Sequence, residues 1–274
     1  MKIISFNING IRARFHQLAE LKARHNPDIL GLQEIKVHSD LYPHEDVQAA
    51  SGLVSQVWGQ KAYHGVATLS RTAVDHQCGF PTDSEDDQRR LIISHHPTQD
   101  GRILTVINGY FPQGEGDSHP TKWPAKRKFY ADLLDWLNTE AKPDDLLIVL
   151  GDFNIAPVDE DIGIGEKNAK RWLKEGKSAF LPEERVWFEK IRAWGLADSY
   201  RIEHPQVNDR FSWFDYRSKG FDDEPKRGLR IDQLMVSAPL VPLIRATGID
   251  YDIRGMERPS DHAPAWLELD LVLV

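Results

Sequence analysis

The stretch Asp145–Asn154, DLLIVLGDFN, decides how the rest of the chain is read. Leu146 to Leu150 form an unbroken apolar run of the length and flanking expected of a buried strand. The run stops at Gly151, and a carboxylate (Asp152) and a carboxamide (Asn154) follow two residues apart. Gly, Asp and Asn are ordinary turn residues, so a plain turn accounts for them. A catalytic rim accounts for them equally well, and one strand cannot decide between the two.

Working outward, KIISFN (from Lys2) and DILGLQE (from Asp28) read as further short buried strands, as do RRLIIS (from Arg89) and RILTVINGY (from Arg102). Phe15, Leu18, Ala19, Leu21 and Ala23 make an imperfect helical stripe between the first two. In the segment from Pro124 to Ala141, Phe129, Leu133, Leu134 and Leu137 share one helical face, with Pro124 near the start where helices tolerate it. A second helix begins around Pro182, carries Trp187, Phe188, Ile191 and Trp194, and stops at Gly195. From Ala265 to Val274 apolar residues alternate, which predicts a half-buried strand. Strands interspersed with helices indicate an α/β protein whose sheets are covered by helices.

The totals fit one compact domain over residues 1–274, with 41% hydrophobic residues and no low-complexity tract, linker or short internal repeat. No run approaches the ~18 apolar residues of a membrane span. MKIISFNING turns polar too early for a signal peptide, so a cytoplasmic protein is expected. Cys78 is the sole cysteine, which excludes an internal disulfide or a thiolate zinc cluster. The net charge of −8 runs against a general nucleic-acid binder. Local patches decide contact, however. TKWPAKRK (Thr121–Lys128) and AKRWLKEGK (Ala169–Lys177) interleave cations with Trp123 and Trp172, although each also reads as a solvated helix or loop face.

Other strand ends repeat the pattern seen at Asp152. The first strand ends at Asn7, followed by Asn9, and the second leaves Gln33 and Glu34. TVINGY ends with Asn108 and Tyr110. LRIDQLMVS places Asp232 inside an apolar strand, where an unpaired charge would cost several kcal/mol. RPSDHAP brings Asp261 and His262 just before the last strand. Singly each has a plain explanation: Glu34 pairing with Lys36 in a turn, Asp232 as a hydrogen-bond hub, His262 as a structural residue. Together they supply hard oxygen ligands suited to Mg²⁺ or Mn²⁺ and a His for proton transfer or phosphate stabilisation. Metal-assisted hydrolysis of a phosphoester needs all of these.

SFNINGIRAR, LGLQEIKV, NGYFPQGE, GDFNIAP, DIGIGEKNAKRW, FSWFDYRSKGFDD, RGLRIDQL and PSDHAP resemble, in their usual order, the exodeoxyribonuclease III family of the endonuclease/exonuclease/phosphatase superfamily. The resemblance covers Met1 to about Trp266 and implies a four-layer α/β sandwich, two mixed sheets face to face with helices outside. It implies metal ligation by Glu34 with Asn7, and with Asp152, Asn154, Asp261 and His262 nearby. Asp152 resembles the residue that orients or deprotonates the attacking water, Asn154 its partner at the phosphate, and His262, supported by Asp232, a phosphate contact. Tyr110 would lie against the phosphate or leaving oxygen. Arg90 and Gln113 are implied as DNA contacts, and Trp213 as a wall of a pocket for a base-less sugar. The implied activities are Mg²⁺-dependent 3′→5′ exonuclease on double-stranded DNA, incision 5′ of abasic sites and removal of 3′-blocking groups, by a monomer with no membrane partner. The rival within the superfamily is a phosphatase of lipids or small molecules; a non-catalytic DNA-binding relative is a second rival, of another class.

Overall fold

Leu146–Leu150 does form a strand, and its two faces are buried against different partners. Leu146, Ile148 and Leu150 point into a core between two sheets, whereas Leu147 and Val149 pack under helices. Side chains alternate along a strand, so a run apolar at every position is what a layer covered on both sides requires.

In this computed structural model, which describes residues 1–84 and 87–274, the first part of the chain comprises β1 (Lys2–Asn7), α1 (Phe15–His25), β2 (Ile29–Gln33), α2 (His44–Ser51), β3 (Val54–Trp58) and β4 (Val66–Ser70). The middle comprises β5 (Asp75–Cys78), β6 (Leu91–Pro97), β7 (Ile103–Tyr110), α3 (Lys122–Glu140), β8 (Leu146–Asp152) and α4 (Glu166–Lys174). Then follow α5 (Pro182–Trp194), β9 (Leu196–Asp198), α6 (Ser199–Glu203) and β10 (Asp232–Ser237). The chain closes with β11 (Ile244–Ile249), α7 (Tyr251–Arg254) and β12 (Ala265–Leu269).

The strands make two six-stranded sheets, ordered β11-β12-β1-β2-β4-β3 and β5-β6-β7-β8-β10-β9. Ile3, Ile29, Leu234 and Leu267 join the β8 residues in the core between them. Helices α1 and α2 cover the first sheet through Leu18, Leu21 and Val47, and α3 and α5 cover the second through Phe129, Leu133, Trp187 and Ile191. This is the four-layer α/β sandwich that the resemblance implied.

The two sheets share one plan. Each has a single parallel pair at its centre, β1–β2 in one and β7–β8 in the other. Every other pairing in both sheets is antiparallel. The absence of a short sequence repeat therefore conceals a repeat of topology. Parallel strands end on the same side, so Asn7 and Gln33 finish one central pair while Tyr110 and Asp152 finish the other. β10 runs antiparallel to β8 and begins at Asp232, directly opposite Asp152. One rim of the sandwich thus collects polar strand ends.

Two expectations shift. The alternation from Ala265 predicts a strand to Val274, but β12 ends at Leu269. Leu271 stays buried, and Leu273 bridges to Thr98 beside β6. The chain leaves the first sheet and straps onto the second, so the apolar side keeps facing the same core while the backbone changes partners. The basic stretch TKWPAKRK is also partly interior: Trp123 and Lys126 are buried, and only Lys122, Arg127 and Lys128 of its cations lie outside.

Gly151 connects the fold to the site. Its φ of +145° lies in a region side chains avoid, and a Cβ there would stand 1.8 Å from the Gly109 carbonyl oxygen on the neighbouring strand. Gly151→Ala is expected to lose about 3 kcal/mol, because only movement of the β7–β8 backbone relieves that overlap. Urea unfolding measures it, and a loss below about 0.5 kcal/mol would show that the strand gives way easily.

Candidate active site

The site begins with two residues in left-handed backbone conformations at the ends of the central strands, Glu34 (φ +51°) and Asn154 (φ +53°). Such conformations turn the chain sharply, so the side chains leave the strand direction and face the rim. Glu34 Oε1 accepts hydrogen bonds from Asn7 Nδ2 (3.1 Å) and the Tyr110 hydroxyl (2.7 Å). Its Oε2 lies 2.9 Å from Lys36 Nζ. Burial raises the Glu34 pKa, but the Lys36 charge and the hydrogen bonds from Tyr110, Lys36 and Asn7 outweigh it and bring the carboxyl down to about 2. Glu34 is ionised at neutral pH. Burial, reinforced by the Glu34 charge, pushes the Tyr110 hydroxyl well above its ordinary value, so it stays a donor.

Asp152 sits between the two sheets' contributions. Its Oδ2 accepts from Asn7 Nδ2 (2.9 Å), and its Oδ1 accepts from the backbone N–H of Asn154 (3.0 Å). Asn154 is fixed in turn by its Nδ2 donating to the Phe111 carbonyl (2.9 Å). His262 Nε2 stands 3.8 Å from Asp152 Oδ2, while its Nδ1 makes a 2.8 Å hydrogen bond to Asp232 Oδ2. Burial pushes Asp152 up, and nearby Asp232 and Glu34 add to this against the pull of His262. Burial opposes a charged His262, but the Asp232 and Asp152 carboxylates prevail and raise it. Asp232 Oδ1 is buried with no hydrogen-bond partner, which argues further for a cation on the imidazole beside it.

Asp261 lies at the edge. Its Oδ1 accepts from Asn9 Nδ2 (2.8 Å) and its Oδ2 from Trp213 Nε1 (3.1 Å). Trp213 is held to the His262 segment by a backbone bridge. A cavity of about 300 Å³ opens above these groups, with Glu34, Tyr110, Asp152, Asn154, Asp261 and His262 among its lining and Trp213, Leu229 and Ile231 forming an apolar wall.

Two arrangements bear on a metal. Asp152, Asp232 and His262 bring ligand-type atoms within 4.8 Å of one another. The hydrogen bond between His262 and Asp232 and the nearby charge of Asp152 account for that spacing. Glu34 is better suited. It is ionised, reaches the cavity, has carboxamides and Asp152 at hand, and already attracts the Lys36 ammonium. An all-oxygen set of this kind fits a hard divalent cation.

Residues 4–262 match the model of the Endonuclease/Exonuclease/phosphatase family. The chain belongs to that family. It is 53% identical to exodeoxyribonuclease III of Haemophilus influenzae, over 98% of this chain and 99% of that one. Among solved structures, the 3′-5′ exonuclease NExo of Neisseria meningitidis superposes with a TM-score of 0.86 at 36% identity, covering 98% of this chain and 100% of that one. An AP endonuclease from Archaeoglobus fulgidus also gives 0.86, at 30% identity, covering 98% and 99%.

In this endonuclease/exonuclease/phosphatase family member the expected DNA contacts divide. Gln113 is exposed at the cavity mouth. Arg90 is only 7% exposed, stacks over the Tyr110 ring at 4.6 Å and donates to the Tyr110 carbonyl (2.9 Å) and Gln88 Oε1 (2.7 Å). Its guanidinium packs against the Tyr110 ring and, with Gln113, lines a neighbouring cavity. Lys177, over the Trp172 ring at 3.8 Å, and Arg217 also line the cavity above Asp152. The AKRWLKEGK pattern pointed toward Trp172 and Lys177, and Lys36 was expected beside Glu34, but Arg217 carries no signal beyond being a cation near a motif.

Proposed function

We propose that this chain is a metal-dependent DNA repair nuclease that acts as a 3′→5′ exonuclease on double-stranded DNA and cuts 5′ of abasic sites. The observation carrying the proposal is Asp152, held by Asn7 and Asn154 between ionised Glu34 and the His262–Asp232 pair, at the floor of one apolar-walled cavity. The names of the relatives, exodeoxyribonuclease III, 3′-5′ exonuclease and AP endonuclease, support DNA as the substrate.

In this reading Asp152, its affinity for protons raised by burial, takes a proton from the attacking water. The hydrogen bonds from Asn7 and Asn154 fix the direction of its lone pairs. His262, kept cationic by Asp232, faces the scissile phosphate with Nε2, and the Tyr110 hydroxyl, whose proton goes to Glu34, lies against the phosphate or leaving oxygen. Glu34, with Asn7, Asp152, Asn154, Asp261 and His262 near, would hold Mg²⁺, or Mn²⁺ as a substitute, which would neutralise the phosphate charge. An abasic nucleotide has no base to unstack and is the easiest to extrude toward the wall formed by Trp213, Leu229 and Ile231. Removal of 3′-blocking groups uses the same phosphoester chemistry. A single-domain, monomeric, cytoplasmic enzyme completes the proposal; among the described residues no helix is long and apolar enough to cross a membrane.

A short duplex carrying one abasic-site analogue, 5′-labelled and incubated with Mg²⁺ or EDTA, tests this. One Mg²⁺-dependent cut at the lesion, abolished by EDTA, is the expected result. A ladder from the 3′ end with the lesion intact would restrict the enzyme to exonuclease action. No cleavage of any DNA would transfer the function to small-molecule phosphates.

A further inference from the structure

Lys126 is wholly buried, in a helix whose neighbouring cations are exposed. Burying an ammonium costs several kcal/mol unless its surroundings return the loss, and an apolar residue would fill the same space without that cost. Its surroundings are specific. Nζ donates to the backbone carbonyl of Asn154 (2.8 Å) and to Ser178 Oγ (2.9 Å), pairs with Glu184 Oε1, and lies 3.3 Å from the Gln113 carbonyl. Glu184 is also wholly buried, and its Oε2 accepts from the backbone N–H groups of Ala179 (2.9 Å) and Leu181 (2.8 Å). Ser178 Oγ makes a further hydrogen bond to the Gln113 carbonyl.

These contacts reach three loops from three parts of the sequence. One follows β8 and carries Asn154, whose N–H holds Asp152. Another follows β7 and carries Gln113. The third, at Lys177–Ala179, lines the cavity. The Ala156 N–H also donates to the Ala179 carbonyl at 2.7 Å, so the first and third loops are joined directly as well. None of the three carbonyl and hydroxyl groups around Nζ belongs to α3 itself.

We propose that Lys126 and Glu184 are positioning residues for catalysis, a buried charged knot that fixes the Asn154 turn relative to the Gln113 and Lys177–Ala179 loops. The proposal rests on the nuclease reading above. The pair touches no reacting atom; it acts through the carbonyl of Asn154, and so on the orientation of Asp152. Around the pair, Trp123, Phe129, Trp187 and Phe188 of α3 and α5 give apolar packing, and the Tyr130 hydroxyl donates to the Phe153 carbonyl (2.7 Å), a second tie to the turn after β8.

The test uses the full chain with Lys126→Met and Glu184→Gln combined, which removes both charges while leaving an acceptor for the Ala179 and Leu181 amides. Thermal unfolding, kcat and KM on the abasic duplex, and amide exchange are measured. The double variant is expected to fold, to lose ~10–100-fold in kcat with a smaller change in KM, and to exchange faster at residues 153–156, 113–115 and 177–179 than in the sheets. Ser178→Ala, which leaves both charges in place, is expected to lower kcat a few-fold in the same direction and serves should the double variant not fold. Wild-type kcat in the folded double variant, or in Ser178→Ala if that is the one that folds, overturns the proposal. Should the wild-type chain itself fail to cut DNA, the nuclease reading falls instead. Loop exchange then decides alone whether the knot holds these three segments, and unchanged exchange there overturns it.

Discussion

Asp152→Asn is expected to fold normally and to cut DNA ~10²–10⁴-fold more slowly, with exonuclease and abasic-site incision falling together. The substitution is nearly isosteric but chemically disruptive. Both carboxylate oxygens accept hydrogen bonds, one from Asn7 Nδ2 and the other from the Asn154 N–H. Whichever way an amide is turned, its NH₂ group faces one of these donors, so a hydrogen bond is replaced by a donor–donor contact. The side chain also loses its ability to take a proton from water and its charge beside His262. Single-turnover cleavage at saturating enzyme measures the loss without interference from product release. Rates within threefold of wild type would remove Asp152 from the chemistry. Loss of one activity alone would mean that the two reactions do not share a base.

Arg230→Met is expected to destabilise the protein by about 3–5 kcal/mol, the usual cost of leaving buried carboxylates without their cation. Arg230 is 1% exposed and joins two acidic residues. Its Nε and Nη2 donate to Asp161 at 2.6 and 3.0 Å, and Nη2 also donates to Asp198 at 2.5 Å. Burial disfavours the charged guanidinium, but the Asp198 and Asp161 charges overcome this and hold it firmly protonated. Asp161 retains Arg201 as a partner in the variant, whereas Asp198 keeps only the backbone N–H groups of Tyr200 and Arg201. A protein of this size loses about 2–4 °C in Tm per kcal/mol, so a fall near 10 °C is expected in a thermal scan. Arg230→Lys preserves the charge but not the planar fork, and an intermediate Tm is expected. A methionine variant as stable as wild type would mean that the network is energetically idle. Arg230 also precedes Ile231 and Asp232, so the same loss of order is transmitted to the cavity wall.

Much of the site was legible because its residues break a pattern. Asp232 interrupts an apolar strand, and Asn7, Glu34, Tyr110 and Asp152 end apolar runs, so each stands out against its neighbours. Their convergence was not legible from periodicity, because sheet order is set by contacts between distant segments; β12 pairs with β1 across nearly the whole chain. Short edge strands such as β5, DHQC, have too little apolar content to register. Lys126 misled for a related reason. A lysine among lysines reads as solvated surface, and the partners that draw it inward, Glu184 with Ser178 and the Asn154 carbonyl, lie far along the sequence. Glu34 shows that a plain pairing does not take a side chain away from a cavity, since it pairs with Lys36 and also lines the cavity.

The pairing of β1 with β12 has a consequence for how the molecule is made. A ribosome delivers Asn7 and Glu34 first, then Tyr110, Asp152 and Asn154, and only near the end Asp261, His262 and β12. Every strand of the second sheet has emerged by Ser237, so that sheet can assemble while the first still lacks β11 and β12 beside β1. Until the last strands arrive, Asp232 has no imidazole beside it and Trp213 has no Asp261 to anchor it. The unfinished polypeptide therefore carries Glu34, Asp152 and Asp232 without Asp261 or His262, so the rim is completed only when the last strands close the fold.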